Sequence, residues 1–597
     1  MYLKCSTRKK DGKEHRTWSV VESCRIRGKG CVQRHVLYLG EINDSQRLVW
    51  QKSIEVFEEG KQQSTQMAIF PEDRIPTESL AEVVQVNLKD FSLHRPRQWG
   101  NCWLACQLWE ELRLDEFWGQ RLLPSREGTP WDKVLKLLVY YRLMDPGSEW
   151  RLHRHWYAQS AMGDLLGEDF SLVQIDKLYR CLDKLLAHKE DFFIFLRQRW
   201  QDLFQTRFDV LLYDLTSTYF ESPLPEGESK RAFGYSRDKR SDCVQVIIAL
   251  IVTPEGFPIA YEVLSGNTAD VTTLPEFLEK IEARYGKAHR TWVMDRGIPT
   301  EKILESMRQN KTPVSYLVGT PKGRLSQLEK EFLELPWEKA RESVEVKLLS
   351  KEDELYVLAR SKGRVDKERS MRKRRLKALW KRLKELQNQK LTRDGLLLKL
   401  GAAKSKAGDC FSLVEIVLPQ PGEPIDSKTF TFHLRKEKLR QVRRREGHYL
   451  LRTNLKEEDP AKLWRHYVTL TQIEEAFKTL KGDLAIRPVF HQRDDRIESH
   501  IFVSFMAYCL HVTLRQKLHP LASGLTPRSI LEKFSTIQMI DVHLPTTDGR
   551  KLILSRYTQP NNDLILLFHH LKLKLPNQPP PKMTENGPII PSIPNPM

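Results

Sequence analysis

The sequence predicts an α/β protein in which a mixed sheet carries a β-rich insertion and follows an α-helical N-terminal region. The main observation is the run Val210-Leu211-Leu212-Tyr213, four apolar residues typical of a strand buried on both faces. Residues 244–252 and 257–264 form two more apolar runs, and Pro254-Glu255-Gly256 joins them as a hairpin. With 597 residues, the chain has room for several domains, or for one domain with a large insertion.

The composition narrows the class of protein. Lys and Arg number 97 against 78 Asp and Glu, and a net charge of +19 favours a polyanionic partner such as nucleic acid. A basic protein without such a partner would have the same balance. The nine cysteines show neither zinc-ligand spacing nor a disulfide framework. The start lacks an apolar signal segment and the run 501–510 is too short to span a bilayer, so we expect a reduced, intracellular protein with no membrane partner.

Two regions precede the sheet. Residues 1–95 are assigned as an N-terminal hairpin and linker, because residues 18–40 alternate around Arg27-Gly28-Lys29-Gly30 and residues 46–59 have helical spacing. The basic hairpin could contact DNA or could simply be solvated. Residues 96–206 show apolar residues at helical spacing and are assigned as a helical domain that could bind a DNA end.

The catalytic part of the sheet is predicted over residues 207–320. Its order is a strand, a hairpin of two strands, a helix over 273–285, a strand, a helix and a last strand. Two carboxylates, Asp214 and Asp295, fall at the ends of the first and fourth strands. The ends of adjacent strands are where sites form in α/β sheets, although Asp214 taken alone could be a turn or cap residue.

Residues 321–455 are predicted to be an inserted domain, mostly β. Five strand-like segments support this, at 344–348, 355–358, 411–418, 430–434 and 448–452. A strongly basic helix is predicted over 371–387, with a leucine stripe on one face. Its basic face could bind phosphates or could be an ordinary solvated face.

The last key element is a helix predicted over residues 467–481. Tyr467, Glu474, Lys478 and Lys481 are spaced by seven, four and three residues, so they would share one face of this helix. An ordinary surface helix with Glu–Lys pairs is the alternative. Residues 456–520 are assigned as the second part of the core, 521–571 as a C-terminal helical region and 572–597 as a Pro-rich disordered tail.

Three carboxylates on separate elements, Asp214, Asp295 and Glu474, could converge on hard cations. Mg²⁺ prefers a few carboxylate oxygens together with water and phosphate oxygens. Two such ions about 4 Å apart can activate a nucleophile and stabilise the leaving oxygen of a phosphodiester. Basic residues nearby would hold the DNA backbone.

At these residues the sequence resembles the DDE transposases of bacterial insertion sequences, which have an RNase H-like core. The closest resemblance is to the group with a β-rich insertion and a Tyr-x-x-Arg-x-x-x-Glu-x-x-x-x-x-x-Lys signature. Tyr467, Glu474 and Lys481 fit this spacing, whereas Leu470 stands at the Arg position, where Arg465 or Lys478 could substitute. Further segments match the family: 214–218, 234–240, 266–270 and 295–297.

The resemblance implies roles for these residues. Asp214, Asp295 and Glu474 would be catalytic and would hold two Mg²⁺ or Mn²⁺ ions, with Glu475 as the competitor for the third position. Phosphates would be bound by the basic and tyrosine side chains of the matched segments, namely Tyr467, Lys478, Lys481, Arg237, Lys239, Arg240 and Arg296.

The resemblance also implies partners and a reaction. The partners would be terminal inverted repeats, target DNA and a second copy of the chain in a synaptic complex, in the bacterial cytoplasm. The reaction would be strand cleavage followed by strand transfer. Two alternatives stay open: an inactive or domesticated transposase-derived DNA-binding protein, and a general RNase H-type nuclease.

Overall fold

The structure is a computed structural model that describes most of the chain. The residues outside the description are 11–12, 27–29, 52–85, 269–274, 276–278, 282–289, 296–298, 310–313, 321–326, 329–330, 333, 390, 458, 548 and 585–597. The predicted turn at 27–29, most of the predicted helices at 46–59 and 273–285, and Arg296 therefore lie outside the described residues.

The N-terminal region forms a small antiparallel sheet. Its strands are β1 (Tyr2–Lys10), β2 (Lys13–Ile26) and β3 (Gly30–Gly40), in that order. Strands β2 and β3 correspond to the predicted hairpin, and β1 adds a third strand along the other edge of β2. Strand β4 (Ser92–Gln98) does not belong to this small sheet. It pairs instead with a strand from the C-terminal part of the chain.

A helical region follows, as expected. Its longer helices are α1 (Gly100–Glu111), α2 (Leu114–Gly119), α3 (Trp131–Met144), α4 (Ile175–Leu185) and α5 (Lys189–Phe204). The side chains of Trp109, Trp118 and Trp200 are fully buried. These aromatic residues therefore stabilise the core and offer no platform for stacking bases.

The central sheet confirms the predicted α/β fold with an RNase H-like core. Its first strands are β5 (Val210–Phe220), β6 (Val244–Val252), β7 (Pro258–Ser265), β8 (Thr291–Met294) and β9 (Ser315–Gly319). They lie side by side in the order β7-β6-β5-β8-β9. Strands β5, β8 and β9 are parallel, whereas β6 is antiparallel to both β5 and β7. Helix α6 (Glu301–Gln309) connects β8 to β9.

Strand β5 is longer than the sequence suggested. Asp214 lies in its middle and not at its end, because Thr216, Ser217 and Thr218 continue the strand and pair with β6. These three hydroxyl residues are buried. Thr has a high strand propensity, so the small polar residues that resembled a turn fit a buried strand.

The insertion differs from the mostly β domain that was expected. Four of its strands extend the central sheet: β10 (Glu338–Arg341), β11 (Val344–Lys351), β12 (Glu354–Ser361) and β15 (His448–Thr453). The full strand order continues from β9 through β15, β12 and β11 to β10. The predicted strands of the insertion are thus mainly part of the central sheet.

The rest of the insertion is mainly helical. Between β12 and β15 lie α7 (Lys362–Gln387), α8 (Arg393–Ala407), β13 (Val414–Val417), β14 (Thr431–Leu434) and α9 (Lys436–Arg444). The leucine stripe of α7 packs against α8 in a separate small core, where Leu383, Leu386 and Leu396 are fully buried. Helix α8 was missed, although Thr392 caps it and its apolar residues have helical spacing.

The C-terminal region is also not simply helical. It contains α10 (Pro460–Val468), α11 (Thr471–Lys481), α12 (Asp494–Leu518), α13 (Pro527–Phe534), β16 (Gln538–Pro545), β17 (Lys551–Tyr557), α14 (Asn562–Leu571) and β18 (Lys582–Met583). Strands β16 and β17 form a hairpin, and the sheet order is β18-β17-β16-β4. The hairpin is therefore paired with the start of the helical region.

The described part of the tail is held in place instead of being disordered. Gln578 exchanges hydrogen bonds with the backbone of Tyr557, and Arg556 and Tyr557 donate to the carbonyls of Pro579 and Pro576. Proline carbonyls remain good acceptors although proline has no N–H to donate. The remainder of the tail, 585–597, lies outside the described residues.

Helix α12 lies at the centre of the molecule. By length and composition it could cross a membrane, but 94% of its most apolar stretch is buried inside the protein. It packs against α3, α4 and α11. A single hydrophobic core includes residues of α12, the helical region and the central sheet, so these parts are packed together.

Candidate active site

The two aspartates are brought together by the register of parallel strands. Tyr213 of β5 is paired with Met294 of β8, and this is the last pair between the two strands. The next residues are Asp214 and Asp295, on neighbouring strands spaced by about 4.8 Å. Asp214 also accepts a hydrogen bond from the backbone N–H of Leu215, at 2.8 Å. The sheet itself therefore positions both carboxylates.

Glu474 reaches the same place from a helix. Helix α11 packs on β5 and β6, and it buries Ile473, Ala476, Phe477 and Leu480 against the core while Glu474 stays exposed. Asp214, Asp295 and Glu474 all line one cavity of about 610 Å³. Glu475 instead pairs with Lys478 at 3.6 Å. The geometry thus favours Glu474 over Glu475 as the third carboxylate.

The three carboxylates are spread around the cavity. Among the described residues, the group whose ligand atoms all lie within 4.8 Å of one another consists of Glu149, His491 and His500. This separate group is described below. Carboxylate oxygens are the ligands that Mg²⁺ and Mn²⁺ favour, so these three residues could hold divalent metal ions.

Tyr467 contacts the site, but from a different helix. The predicted helix 467–481 is divided into α10 and α11 by a turn at Thr469 and Leu470. Thr469 and Thr471 donate from their hydroxyls to carbonyls three residues earlier, and such bonds compete with regular helix. The Tyr467 hydroxyl donates to Asp295 at 3.4 Å. The Tyr467 ring packs beside the rings of Tyr449 and Trp464, and these two residues also line the cavity.

Leu470, which replaces the Arg of the signature, has a clear environment. It lines the cavity with only 8% of its surface exposed and belongs to the main hydrophobic core. An apolar side chain suits this position. Of the suggested substitutes, Arg465 pairs with Asp459 at 3.6 Å and Lys478 pairs with Glu475.

Lys481 is held in a buried ion-pair cluster. Its ammonium lies 2.8 Å from Asp238, and Arg487 contacts the same carboxylate. The Lys481 side chain is 14% exposed and that of Asp238 is 8% exposed. Burial lowers the pKa of Lys481, while Asp238 opposes the shift. Lys481 therefore fixes the end of α11 to the loop after β5, and any phosphate contact would have to compete with Asp238.

Three more of the predicted basic residues, Arg237, Lys239 and Arg240, lie on this loop, 234–240. Gly234 comes so close to the 266–270 segment that a Cβ there would stand 2.0 Å from the Gly266 carbonyl oxygen. Lys239 is exposed, and Arg237 is half-buried. Arg240 is engaged by Glu221 and Asp242. Lys478, on α11, is largely exposed, with 78% of its side chain accessible to solvent.

The insertion contributes to the cavity in a way that sequence reasoning missed. Arg341, Arg364, His448 and Tyr449 all line it. A second cavity, of about 1360 Å³, shares Arg341, Ser343 and His448 with the first. Most of its charged lining residues are basic: Lys339, Arg341, Lys347, Arg360, Lys362, Arg369, Arg443, Arg444 and Arg445. The sequence signal for this lining was the alternation of charged and apolar residues in the strands of the insertion. These strands had been assigned to a separate inserted domain.

Comparisons with known proteins bear on this site. The sequence model of the family described as "Transposase DDE domain" matches residues 206–510. The structure is similar to the cryo-EM structure of a piggyBac transposase synaptic complex with hairpin DNA, at 9% sequence identity and a TM-score of 0.35, covering 72% of this chain and 79% of that chain. None of the curated proteins compared with the chain matches it. Since the matched residues make up more than half of the 597 residues and include all three cavity carboxylates, the chain belongs to the DDE-domain transposase family.

Proposed function

We propose that this protein is an active transposase that binds the terminal inverted repeats of an insertion sequence, cleaves the strands at the element ends and joins them to target DNA. The observation that carries the proposal is the position of Asp214, Asp295 and Glu474 around one cavity. The strand register and the packing of α11 produce this arrangement. An inactive relative would be expected to lack at least one carboxylate.

The donor set fits divalent metal ions. All three groups are carboxylates, which Mg²⁺ and Mn²⁺ favour, and Asp214, Asp295 and Glu474 would hold two ions between them. When bound, the ions supply charge that activates a water or 3′-hydroxyl and stabilises the leaving oxygen. The chain's own residues orient the site: the Tyr467 hydroxyl fixes Asp295 through its hydrogen bond.

The DNA backbone would follow basic residues on both sides of the carboxylates. Arg341 and Arg364 line the carboxylate cavity, and the adjoining basic cavity of the insertion continues from it. Lys478 lies on α11 one turn after Glu474, and the loop 234–240, with Arg237, Lys239 and Arg240, is joined to α11 by the Asp238–Lys481 ion pair. Arg296, next to Asp295, completes the proposed contacts. The net charge of +19 supports binding of a polyanion.

The test uses the DNA that flanks the gene. Imperfect inverted repeats on either side would supply the substrate, and purified protein would be incubated with one such end and Mg²⁺ or Mn²⁺. We expect cutting at the repeat boundary that disappears in Glu474→Gln and persists in Glu475→Gln, which is its matched neighbour. Asp214→Asn should also abolish cutting and leave end binding intact.

Each alternative gives a different outcome. Binding without cutting, with either metal, would indicate a domesticated or inactive DNA-binding protein. Cutting without preference for the repeat would indicate a general nuclease. Cutting that survives in Glu474→Gln and Asp214→Asn would refute the assignment of the carboxylates. A synaptic complex of two protein copies on two DNA ends, in the bacterial cytoplasm, completes the proposal, and sizing the protein–DNA complex tests the stoichiometry.

A further inference from the structure

We propose that Glu149, His491 and His500 form a second metal site, for a divalent ion of the Zn²⁺ type, away from the carboxylate cavity. One ligand atom from each of these residues lies within 4.8 Å of the other two. The side chains are 7%, 5% and 4% exposed, respectively. Imidazole and carboxylate are common zinc ligands, and a His₂Glu set is an established zinc donor set.

The two distances from Glu149 to the histidines are close to those around a tetrahedral ion, although the shorter one is also that of a hydrogen bond between His491 and Glu149. Glu149 Oε1 lies 3.2 Å from His491 Nε2 and 3.8 Å from His500 Nδ1. An ion with bonds of about 2.0–2.2 Å holds its ligand atoms about 3.3–3.6 Å apart. Small movements of the side chains would therefore be enough to complete the site. A solvent molecule would take the fourth position.

The hydrogen bonding of His500 points its lone pair at this place. His500 Nε2 lies 3.3 Å from the backbone carbonyl oxygen of Ile486. A carbonyl only accepts, so Nε2 carries the proton and Nδ1 carries the lone pair. That lone pair lies 3.8 Å from the Glu149 carboxylate and 3.5 Å from the Arg142 guanidinium, so a cation placed here would be favoured by both electron-rich atoms. A backbone carbonyl that orients the other ring nitrogen is typical of metal-bound histidine.

One cation of the chain competes for this position. Arg142 lies 3.5 Å from His500 Nδ1, and its guanidinium also donates to the carbonyls of Gly147 and Ala485, at 3.1 and 3.2 Å. A contact of 3.5 Å is long for a hydrogen bond, whereas the two carbonyl bonds have ordinary lengths. Metal binding thus breaks only the weakest contact of Arg142, but it places a second cation near the buried guanidinium, and the Glu149 carboxylate has to offset that repulsion.

The position of the site suggests what the metal does. Glu149 begins a short helix in the helical region, whereas His491 precedes α12 and His500 lies within it. The ligands come from segments more than 340 residues apart, since Glu149 and His491 are separated by 342 positions. An ion here would link the helical region to the segment that follows α11. Helix α11 itself carries Glu474. Its role would be structural and independent of catalysis.

The experiment measures metal binding directly on the untagged full-length protein. After treatment with a chelator and its removal, the protein is titrated with Zn²⁺, and with Co²⁺ as a spectroscopic probe. We expect one tightly bound Zn²⁺ per chain by elemental analysis, a rise in melting temperature, and a visible Co²⁺ spectrum typical of tetrahedral coordination. The Glu474→Gln variant should keep all three signals, which separates this site from the carboxylate cavity.

Variants of the ligands make the proposal falsifiable. His491→Gln and Glu149→Gln should lose the Co²⁺ spectrum and the stoichiometric Zn²⁺, whereas His155→Gln, at an exposed histidine of the same region, should keep both. Circular dichroism verifies that each variant is folded. The proposal is overturned if the folded wild-type protein binds no Zn²⁺ or Co²⁺ stoichiometrically, which would leave Glu149 held by its contacts with His491 and His500 and by the nearby charge of Arg142. It is equally overturned if the ligand variants keep the Co²⁺ spectrum.

Discussion

The ion-pair cluster of Asp238, Lys481 and Arg487 gives a prediction whose size can be worked from the structure. Asp238→Asn keeps the shape of the side chain and removes its charge. Two cations then lose their carboxylate while their side chains are only 14% and 27% exposed. Removing one partner of a buried ion pair costs about 3–5 kcal/mol. Because Arg487 is partly exposed, we expect the lower end, about 3 kcal/mol.

Thermal unfolding measures this effect. A loss of 3 kcal/mol lowers the melting temperature by roughly 6–12 °C in a cooperative unit of 150–250 residues. The matched control is Asp242→Asn, on the same loop but with its side chain 65% exposed, and its melting temperature should equal that of the wild type.

The double variant Asp238→Asn/Lys481→Met then tests the pairing itself. Because it removes one of the two stranded cations, it should be more stable than Asp238→Asn alone. Equal melting temperatures for the wild type and Asp238→Asn, with a loss of DNA-end affinity in Lys481→Met, would refute the reasoning. Lys481 would then be a phosphate contact, as the signature alone implied.

Three further predictions concern separate features. Lys478→Ala should weaken end binding and reduce the slope of log affinity against log salt by about 1, without changing the melting temperature, because this side chain is 78% exposed; an unchanged slope contradicts it. Tyr467→Phe should lower cleavage about tenfold with end binding intact, since the hydrogen bond to Asp295 is lost while the ring is kept; full cleavage activity would show that this bond is unimportant. Burial lowers the pKa of His511 in the folded protein. Below about pH 6.5 the unfolded chain therefore takes up a proton that the folded chain does not. The free energy of unfolding should then fall by up to about 1.4 kcal/mol for each pH unit. His511→Gln should make the urea midpoint less dependent on pH over this range, and equal slopes would contradict the assignment.

Most of the central sheet and its carboxylates could be predicted from the sequence. The apolar run before Asp214 and the short run before Asp295 were enough to predict two neighbouring strands, because buried parallel strands have continuous apolar sequences. Glu474 was identified through its spacing to Tyr467 and Lys481. Their arrangement around one cavity depends on the strand register and on the packing of α11, which local patterns do not encode.

Other parts depended on contacts distant in sequence. The break at Thr469 and Leu470 was missed because the periodicity of apolar residues continues across it. The ion pair of Lys481 joins residues 243 positions apart, so its burial could not be inferred from the helix alone. The Glu149–His491–His500 group is similar, since its members have no zinc-ligand spacing along the chain. In each case the deciding partner comes from another element of the fold.

The attachment of the insertion has a consequence for how this molecule can vary. Arg360 of β12 is directly paired with His448 of β15, so everything between them leaves and re-enters the sheet at one point. In topological terms, the helices α7, α8 and α9 are the loop of a β-hairpin. Lengthening such a loop lowers the stability of the fold only slightly, because each doubling of its length adds about 0.6 kcal/mol to the entropic cost of closing it. Changes beyond the first turns of α7 would therefore alter the surface offered to DNA and leave the strands that hold Asp214 and Asp295 undisturbed.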